Sequence, residues 1–422
     1  MVNLEVKTIR GAALRSQFLD LPYRIYRDLP EWTPMMYRDA RGLLRGKRSQ
    51  LLQNGEHEFF VVMSGREAVG RICVGVDRLM NRYKGVNHAY FTLLEAVDDS
   101  EVADLLLDTA MRWARDKNAR YLKGPISPTN GDDFRGVLVQ GFEQPSFILN
   151  NYNPQYYPGF FKAFDSYLEY IGYSLDLEAP LETRVNDRIK KVISRFGSLP
   201  IDHTNNGDEE LMDAVFDILY ASRGYRTVEA HKLDLKSVSH SVYRLLNDSM
   251  PDWEEDIIPP SFEETKALIR DFLRFTQPGL AQAVFLGDSL VGFAVVVPNY
   301  NPIIRRTGGK ILPFGWFRFL REKGALDSAR AVVLFVSSSR SNAGLSGALM
   351  IRIRENLKRL GYKKLEFSTI SAANKQMTAT ASFLGIVPYK RYVVYGKSLT
   401  TDPLSLRDIY GRAADRIGES RE

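Results

Sequence analysis

The stretch SSSRSNAGLSGALMIRIRENLKRLGYKKLEF, from Ser337 to Phe367, decides how this chain is read. The apolar strand RAVVLFV runs into it, a small loop follows, and the loop opens a long amphipathic helix. From Ser337 to Ser346 there is no acid, one arginine (Arg340) and one glycine (Gly344). The first turn of a helix leaves backbone N–H groups unpaired and carries the positive end of the helix dipole. Such a turn suits an anion, a pyrophosphate above all, and the dipole adds roughly 0.3–1 kcal/mol. Gly344 would permit close backbone approach, and Arg340 would add charge-assisted bonds.

Around this turn the second half reads as a series of short α/β elements. LPIDHT is a strand and DEELMDAVFDILYASR a helix; SFEETKALIRDFLRF is a second helix, with Ser261 and Glu264 forming a capping box. AQAVFLGDSLVGFAVVVPNY is a hairpin turning at Gly287-Asp288. After the Ser337–Phe367 stretch come the strand KLEFSTI, the helix NKQMTATASFLG and a last strand, YKRYVVYGK. The first half repeats the order. NLEVKTI is a strand, Ala12 to Tyr26 a helix, and EFFVVMSG and AVGRICVGV a hairpin; YFTLLEAV, a helix capped by Asp98-Asp99-Ser100, YLKGPI and the closing strand YLEYIGYSLDL follow. The segment from Gly124 to Phe161 is loop, dense in glycine, proline, asparagine and aromatics, with one short helix near its end. The chain therefore divides into residues 1–178, a charged linker helix at 179–198, and residues 199–422. One α/β unit occurs twice.

That order resembles the GCN5-related N-acetyltransferase (GNAT) superfamily. LVGFAVVV, the Ser337 turn with its helix, LEFSTISAANKQM and YKRYVVY carry the likeness in the second half. FLDLPYRIYRDLPEWTP, AVGRICVGVDRLMN, the KGP-to-YNPQYY segment and the run from Asn374 to Gly385 are also similar to a bacterial family of tandem acyltransferase-like proteins. The resemblance implies an α/β (α+β) fold: two tandem domains, each a mixed, mainly antiparallel, splayed sheet flanked by helices. It implies acetyl-CoA or another acyl-CoA as co-substrate and a small-molecule amine as acceptor.

By the same resemblance the pyrophosphate belongs on Ser339, Arg340, Ser341, Asn342, Ala343, Gly344, Leu345 and Ser346. The thioester carbonyl belongs on a backbone N–H near Phe335, Val336 and Ser337. The superfamily pattern places Gln or Arg three residues before its first glycine; aligned on Gly344, that position is Ser341, and Arg340 falls one residue early. Asn374 matches a cofactor-contacting position and would equally serve as an N-cap. A tyrosine after the last helix commonly protonates the thiolate, which makes Tyr389 and Tyr392 candidates against a packing role. Glu366 is a candidate base if it points into the splay, or a surface carboxylate if it does not. The corresponding turn of the first half, EAVDDSEVADLL, sets Asp98, Asp99 and Glu101 where a pyrophosphate would be repelled. Glu95, flanked by apolar residues, reads as a buried carboxylate with a raised pKa or as an edge residue. Phe142, Phe147, Tyr152, Tyr156 and Tyr157 either line a substrate cleft between the domains or pack against the second domain.

Composition bounds the remainder. Lys+Arg 57 against Asp+Glu 51 gives +6, too mild a balance to predict a nucleic-acid partner. The five histidines are scattered and Cys73 is alone, so no metal site is expected, and Cys73 reads as a small buried strand residue. The charged start MVNLEVKTIR and the shortness of the apolar runs lead us to expect a cytoplasmic protein that meets no membrane. Two other functions fit the same fold: a non-catalytic scaffold, and an aminoacyl-tRNA-dependent transferase of the peptidoglycan-bridge type.

Overall fold

The computed structural model describes residues 3–46, 49–129, 131, 133–179, 221, 223–249, 257–310, 315–337, 345–383 and 386–414. The linker helix, LPIDHT, nearly all of the DEELMDAVFDILYASR helix, and Ser339 through Gly344 lie outside them.

In the first half, strand β1 (Leu4–Thr8) leads to helix α1 (Gly11–Ile25), and two short helices, α2 (Tyr37–Leu43) and α3 (Gln50–Gln53), precede the hairpin β2 (His57–Ser64) and β3 (Glu67–Gly75). The hairpin turns at Gly65, whose φ of 61° only glycine adopts without strain. Helix α4 (Arg78–Lys84), β4 (His88–Ala96), α5 (Ser100–Asp116), β5 (Tyr121–Gly124), β6 (Val137–Gln140) and β7 (Asp165–Asp176) complete it. The second half begins at β8 (Tyr225–Glu229), then α6 (Leu235–Ser249), α7 (Phe262–Phe275), β9 (Ala281–Leu286) and β10 (Ser289–Pro298). Helices α8 (Asn301–Arg306) and α9 (Gly315–Glu322) precede β11 (Ser328–Val336), α10 (Leu345–Arg359), β12 (Lys364–Ser371), α11 (Lys375–Phe383), β13 (Val387–Ser398) and α12 (Leu406–Tyr410).

All thirteen strands among the described residues join one sheet. Each half supplies a parallel pair, β4 with β5 and β11 with β12, among antiparallel neighbours. Helices cover both faces. Val102, Leu106 and Ala110 of α5 pack on Val62, Ile72 and Phe91, while Phe18 of α1 packs on the opposite face against Phe59 and Val61. Leu349, Ile353 and Leu357 of α10, and Val238, Val242 and Leu245 of α6, do the same in the second half. Cys73 is fully buried in its strand.

The closing strands depart from the reading of two self-contained repeats. β13 pairs with β5 and β6 of the first half, with Tyr395 opposite Gly124 and Arg391 opposite Gln140. β7 pairs with β12 of the second half, with Leu175 opposite Leu365. The two twelve-residue strands then pair with each other. Each half is thus closed by the other's last strand.

Candidate active site

β4 carries a bulge, since Cys73 faces Thr92 while Arg71 faces Glu95, and Leu93 takes the left-handed φ of 53°. The bulge turns Glu95 inward, where Tyr26 donates to Oε2 at 2.7 Å and Tyr157 at 2.6 Å. Arg71 Nη2 lies 3.5 Å from Oε1, and its Nη1 donates to the Phe18 carbonyl at 2.7 Å. This group borders a cavity of about 90 Å³ lined mainly by apolar and aromatic side chains, among them Tyr23, Trp32, Met35, Phe134 and Tyr152. Burial raises the Glu95 carboxyl above the usual carboxylate range, and Arg71 and the two phenols oppose it. A carboxylate in these surroundings is suited to accept a proton.

The aromatic loop divides its labour. Tyr157, besides holding Glu95, accepts from the Ala96 N–H at 3.0 Å, and Tyr156 donates to the Ala96 carbonyl at 3.0 Å. Together with Phe160 and Phe161 they pack under α5, beside β4 where it leaves β5. The Tyr152 hydroxyl donates to the Phe142 carbonyl at 2.9 Å. Phe147 lines a second, wider hollow beside Arg305, Lys363 and Lys364. Of the five aromatics singled out from sequence, Tyr152 and Tyr157 line the cavity that holds Glu95, and the other three do not.

Glu366 is neither at the surface nor in an open splay. It is fully buried on β12, with Oε2 3.6 Å from Arg330 Nε. Asn150 of the aromatic loop donates to Oε1 at 2.6 Å, and the Tyr389 hydroxyl donates to the same oxygen at 2.7 Å. Arg330 also donates to the carbonyls of Ile148 (2.6 Å) and Ser368 (2.8 Å). Burial and the neighbouring Glu366 push the Tyr389 phenol strongly up. Tyr392 is fully buried among Tyr170, Leu138 and Val394. Lys390 donates to the Pro145 carbonyl at 3.0 Å, and burial lowers its pKa to about 8. Asn150 lines the Glu95 cavity as well as touching Glu366, so the cavity and this polar knot share a wall.

In the second half β11 and β12 pair only from Ser328–Lys364 to Ala331–Phe367, and then part. Beyond that point Val332 to Val336 are half-exposed. Ser337 N–H donates to the Val291 carbonyl at 2.9 Å. Because N–H groups alternate along a strand, Val336 N–H faces away from β10, and it is the donor left among Phe335, Val336 and Ser337. Leu345 starts α10 buried in the second core, with Ser346 half-buried beside it. Arg340, Ser341, Asn342, Ala343 and Gly344 lie outside the described residues. Asn374 is an N-cap, accepting from Met377 N–H at 3.0 Å. In the first half Asp99 caps α5 by accepting from Glu101 N–H at 2.9 Å.

The same architecture recurs among solved structures. A tandem GNAT protein from the clavulanic acid biosynthesis pathway, solved without acetyl-CoA, superimposes with a TM-score of 0.54 at 15% identity, covering 95% of this chain and all of that one. This chain has a tandem GNAT fold. A GCN5-related glucosamine N-acetyltransferase region of a fungal multi-domain β-N-acetylglucosaminidase matches this tandem GNAT chain equally, at 0.54 and 13%, over 94% of this chain and 38% of that one. No model of a known protein family matches the sequence. Two curated relatives do. A bacterial ceramide synthase of Caulobacter vibrioides (strain NA1000 / CB15N) is 26% identical over 415 residues, 94% of this chain and 98% of the relative. Protein YghO of Escherichia coli (strain K12) is 24% identical over 395 residues, 90% and 92% of the two chains.

The residues that sequence reasoning missed are Arg71, Tyr26, Asn150 and Arg330. A lone arginine inside an apolar strand, as in VGRICVGV and SARAVVLFV, is a usable signal for a buried ion pair, since a buried charge needs a partner. Nothing local marks Tyr26 or Asn150; their partners lie 69 and 216 residues away.

Proposed function

We propose that this tandem GNAT protein is an N-acyltransferase that moves an acyl group from coenzyme A to the primary amine of a long-chain, lipid-like acceptor, forming an amide of the ceramide kind. The observation that carries the reading is Glu95, a buried carboxylate of raised proton affinity lining an aromatic cavity. The full-length relationship to a protein named bacterial ceramide synthase supports it and favours a donor longer than acetyl.

Amide formation requires a neutral amine, a stabilised oxyanion and a protonated leaving thiolate. Glu95 takes the proton from the ammonium, with Tyr26 and Tyr157 fixing its orientation. The amine nitrogen then bonds to the thioester carbon, the C–S bond breaks, and the second proton that the nitrogen loses on becoming an amide passes to the sulfur. We assign the pyrophosphate to the α10 N-terminus; β4 and β11 stand five strands apart in the sheet, so the pantetheine arm has to cross the junction toward β4 for the thioester to meet the amine at Glu95. In the first half, Tyr156 and Tyr157 occupy both polar groups of Ala96 and Asp99 caps α5, so we assign that half the acceptor and no coenzyme. Glu366 and Tyr389 hold the junction between the two.

The test is purified protein with acetyl-, octanoyl- and palmitoyl-CoA and a long-chain amino alcohol such as sphinganine, the amide being read by mass spectrometry. We expect amide formation that Glu95→Gln lowers at least 100-fold, on the scale of a lost general base. No amide from any donor, or undiminished turnover by Glu95→Gln, refutes the assignment.

A further inference from the structure

Helix α9 carries a surface that acyl transfer does not explain. Phe317 and Leu320 are 58% and 51% exposed, and at i, i+3 they share one face. Phe319 points the other way, its ring 5.2 Å from Tyr300. Around the apolar face the charge is one-sided. Residues 305–323 hold six basic side chains (Arg305, Arg306, Lys310, Arg318, Arg321 and Lys323) and one acid, Glu322, a net +5 in a chain whose total is +6. Glu322 is shared among Arg306 at 3.2 Å, Arg318 at 3.4 Å and Arg321 at 3.8 Å. Arg321 stays 78% exposed beside Phe317.

Gly308 and Gly309, ahead of α9, are clamped against residues that line the Glu95 cavity. Tyr23 donates to the Gly308 carbonyl at 3.1 Å, and Tyr37 N–H to the Gly309 carbonyl at 3.0 Å. Gly309 has φ 70° and sits so close to the Met35 carbonyl that a Cβ there would lie 2.8 Å from it. Tyr23, Met35 and Tyr37 all line the cavity.

We propose that α9 docks the protein on an anionic lipid bilayer, with Phe317 and Leu320 entering the headgroup boundary and the surrounding arginines and lysines meeting lipid phosphates. An apolar stripe flanked by basic side chains is the signature of a helix lying in the membrane interface, and long basic side chains reach polar headgroups while their stems stay apolar. The net charge selects an anionic surface over a neutral one. No helix among the described residues is long and apolar enough to cross a bilayer, so the contact is peripheral. The clamp places the membrane contact beside residues that line the cavity. It runs against the expectation from sequence that the chain meets no membrane, and it stands whether or not the protein transfers acyl groups.

Co-sedimentation with vesicles tests it without substrate. Wild type should bind phosphatidylcholine vesicles containing 30% phosphatidylglycerol at least tenfold more tightly than pure phosphatidylcholine, and lose most of that binding in 0.5 M salt. Phe317→Asp with Leu320→Asp should lose binding at least tenfold while circular dichroism and thermal midpoint stay those of wild type. Arg321→Glu with Lys323→Glu should remove the anionic preference. Failure of wild type to bind anionic vesicles, or wild-type binding by the aspartate pair, overturns the proposal. So does a dimer in sedimentation velocity that the aspartate pair dissolves without any vesicle binding, since the face would then join two copies of the chain.

Discussion

Replacing Arg330 by methionine removes the guanidinium 3.6 Å from Glu366 and leaves a fully buried carboxylate with neutral donors, Asn150 and Tyr389. Breaking a buried pair on one side costs about 3–5 kcal/mol. Glu366→Leu should cost about the same, because Arg330 keeps the Ile148 and Ser368 carbonyls but loses its counter-charge. The double variant removes both charges. Its remaining cost is the Tyr389 hydroxyl without an acceptor and the Ile148 and Ser368 carbonyls without the Arg330 donors, about 1–3 kcal/mol each, while Asn150 retains the Ser368 hydroxyl at 2.8 Å. Additivity would give about 6–10 kcal/mol for the pair, so a coupling of roughly 2 kcal/mol is expected. Urea unfolding of the four proteins measures it, with hydrogen exchange on β7, β12 and β13 reporting whether the loss is at the junction. A double variant that costs the sum of the singles, or an Arg330→Met that costs under about 1 kcal/mol, would refute the reasoning.

Three further outcomes follow from the same geometry. Lys390 is held at about 8 by burial, against the raising effect of Glu366 and Glu143. A depressed lysine pKa makes stability rise with pH between the folded value and about 10.4, and fall as pH drops toward 8. Lys390→Met should therefore stabilise the fold at pH 7 by about 1–3 kcal/mol, a gain that shrinks toward pH 10 in thermal melts across pH. Tyr26→Phe deletes one hydrogen bond that lowers the Glu95 pKa, so the acidic limb of the kcat/KM profile should move to higher pH; an unmoved limb separates Glu95 from the base. At Gly70 a Cβ would lie 2.7 Å from Val102 and 2.9 Å from Leu106, so Gly70→Val should cost about 2–4 kcal/mol in denaturation by forcing α5 off β3.

The fold was legible because periodicity and punctuation are local. The capping box at Ser261, the turns at Gly65 and Gly287, and the apolar face of α5 are each written within a few residues. The short helices α2, α3, α4, α8, α9 and α12 were passed over because four to eight residues cannot establish a helical period, but the fifteen-residue α6 and the strand β8 were passed over as well, and length does not explain α6. Strand β6 was passed over because four residues inside a glycine- and proline-rich loop give no alternation. The strand exchange was illegible for another reason. β7 and β13 alternate in the same manner whichever half they pair with, and partner choice is set by tertiary packing. The candidate site divides along the same line: Glu95 stood out as a carboxylate among apolar neighbours, Arg71 as a lone charge in an apolar strand and Tyr157 within an aromatic loop, while Tyr26 reaches the site from a segment with no local mark.

The exchange also accounts for the polar knot. Hairpins fix their own register through the turn, and β2–β3 and β9–β10 do so here. β7 and β13 have no turn between them; more than two hundred residues separate the strands. A slip of one residue would reverse every side chain on a strand buried on both faces, and apolar contacts alone penalise it weakly where either side chain fits. Glu366 makes the penalty specific. Its carboxylate lies on β12, one donor comes from the aromatic loop through Asn150, another from β13 through Tyr389, and its cation from β11 through Arg330. A shifted β13 would leave a buried carboxylate short of a donor, at a cost of about 1–3 kcal/mol or more for a charged group. The residue that looked from sequence like a candidate base thus serves the register of the sheet, and the wall it holds in place, Asn150, is the wall of the Glu95 cavity.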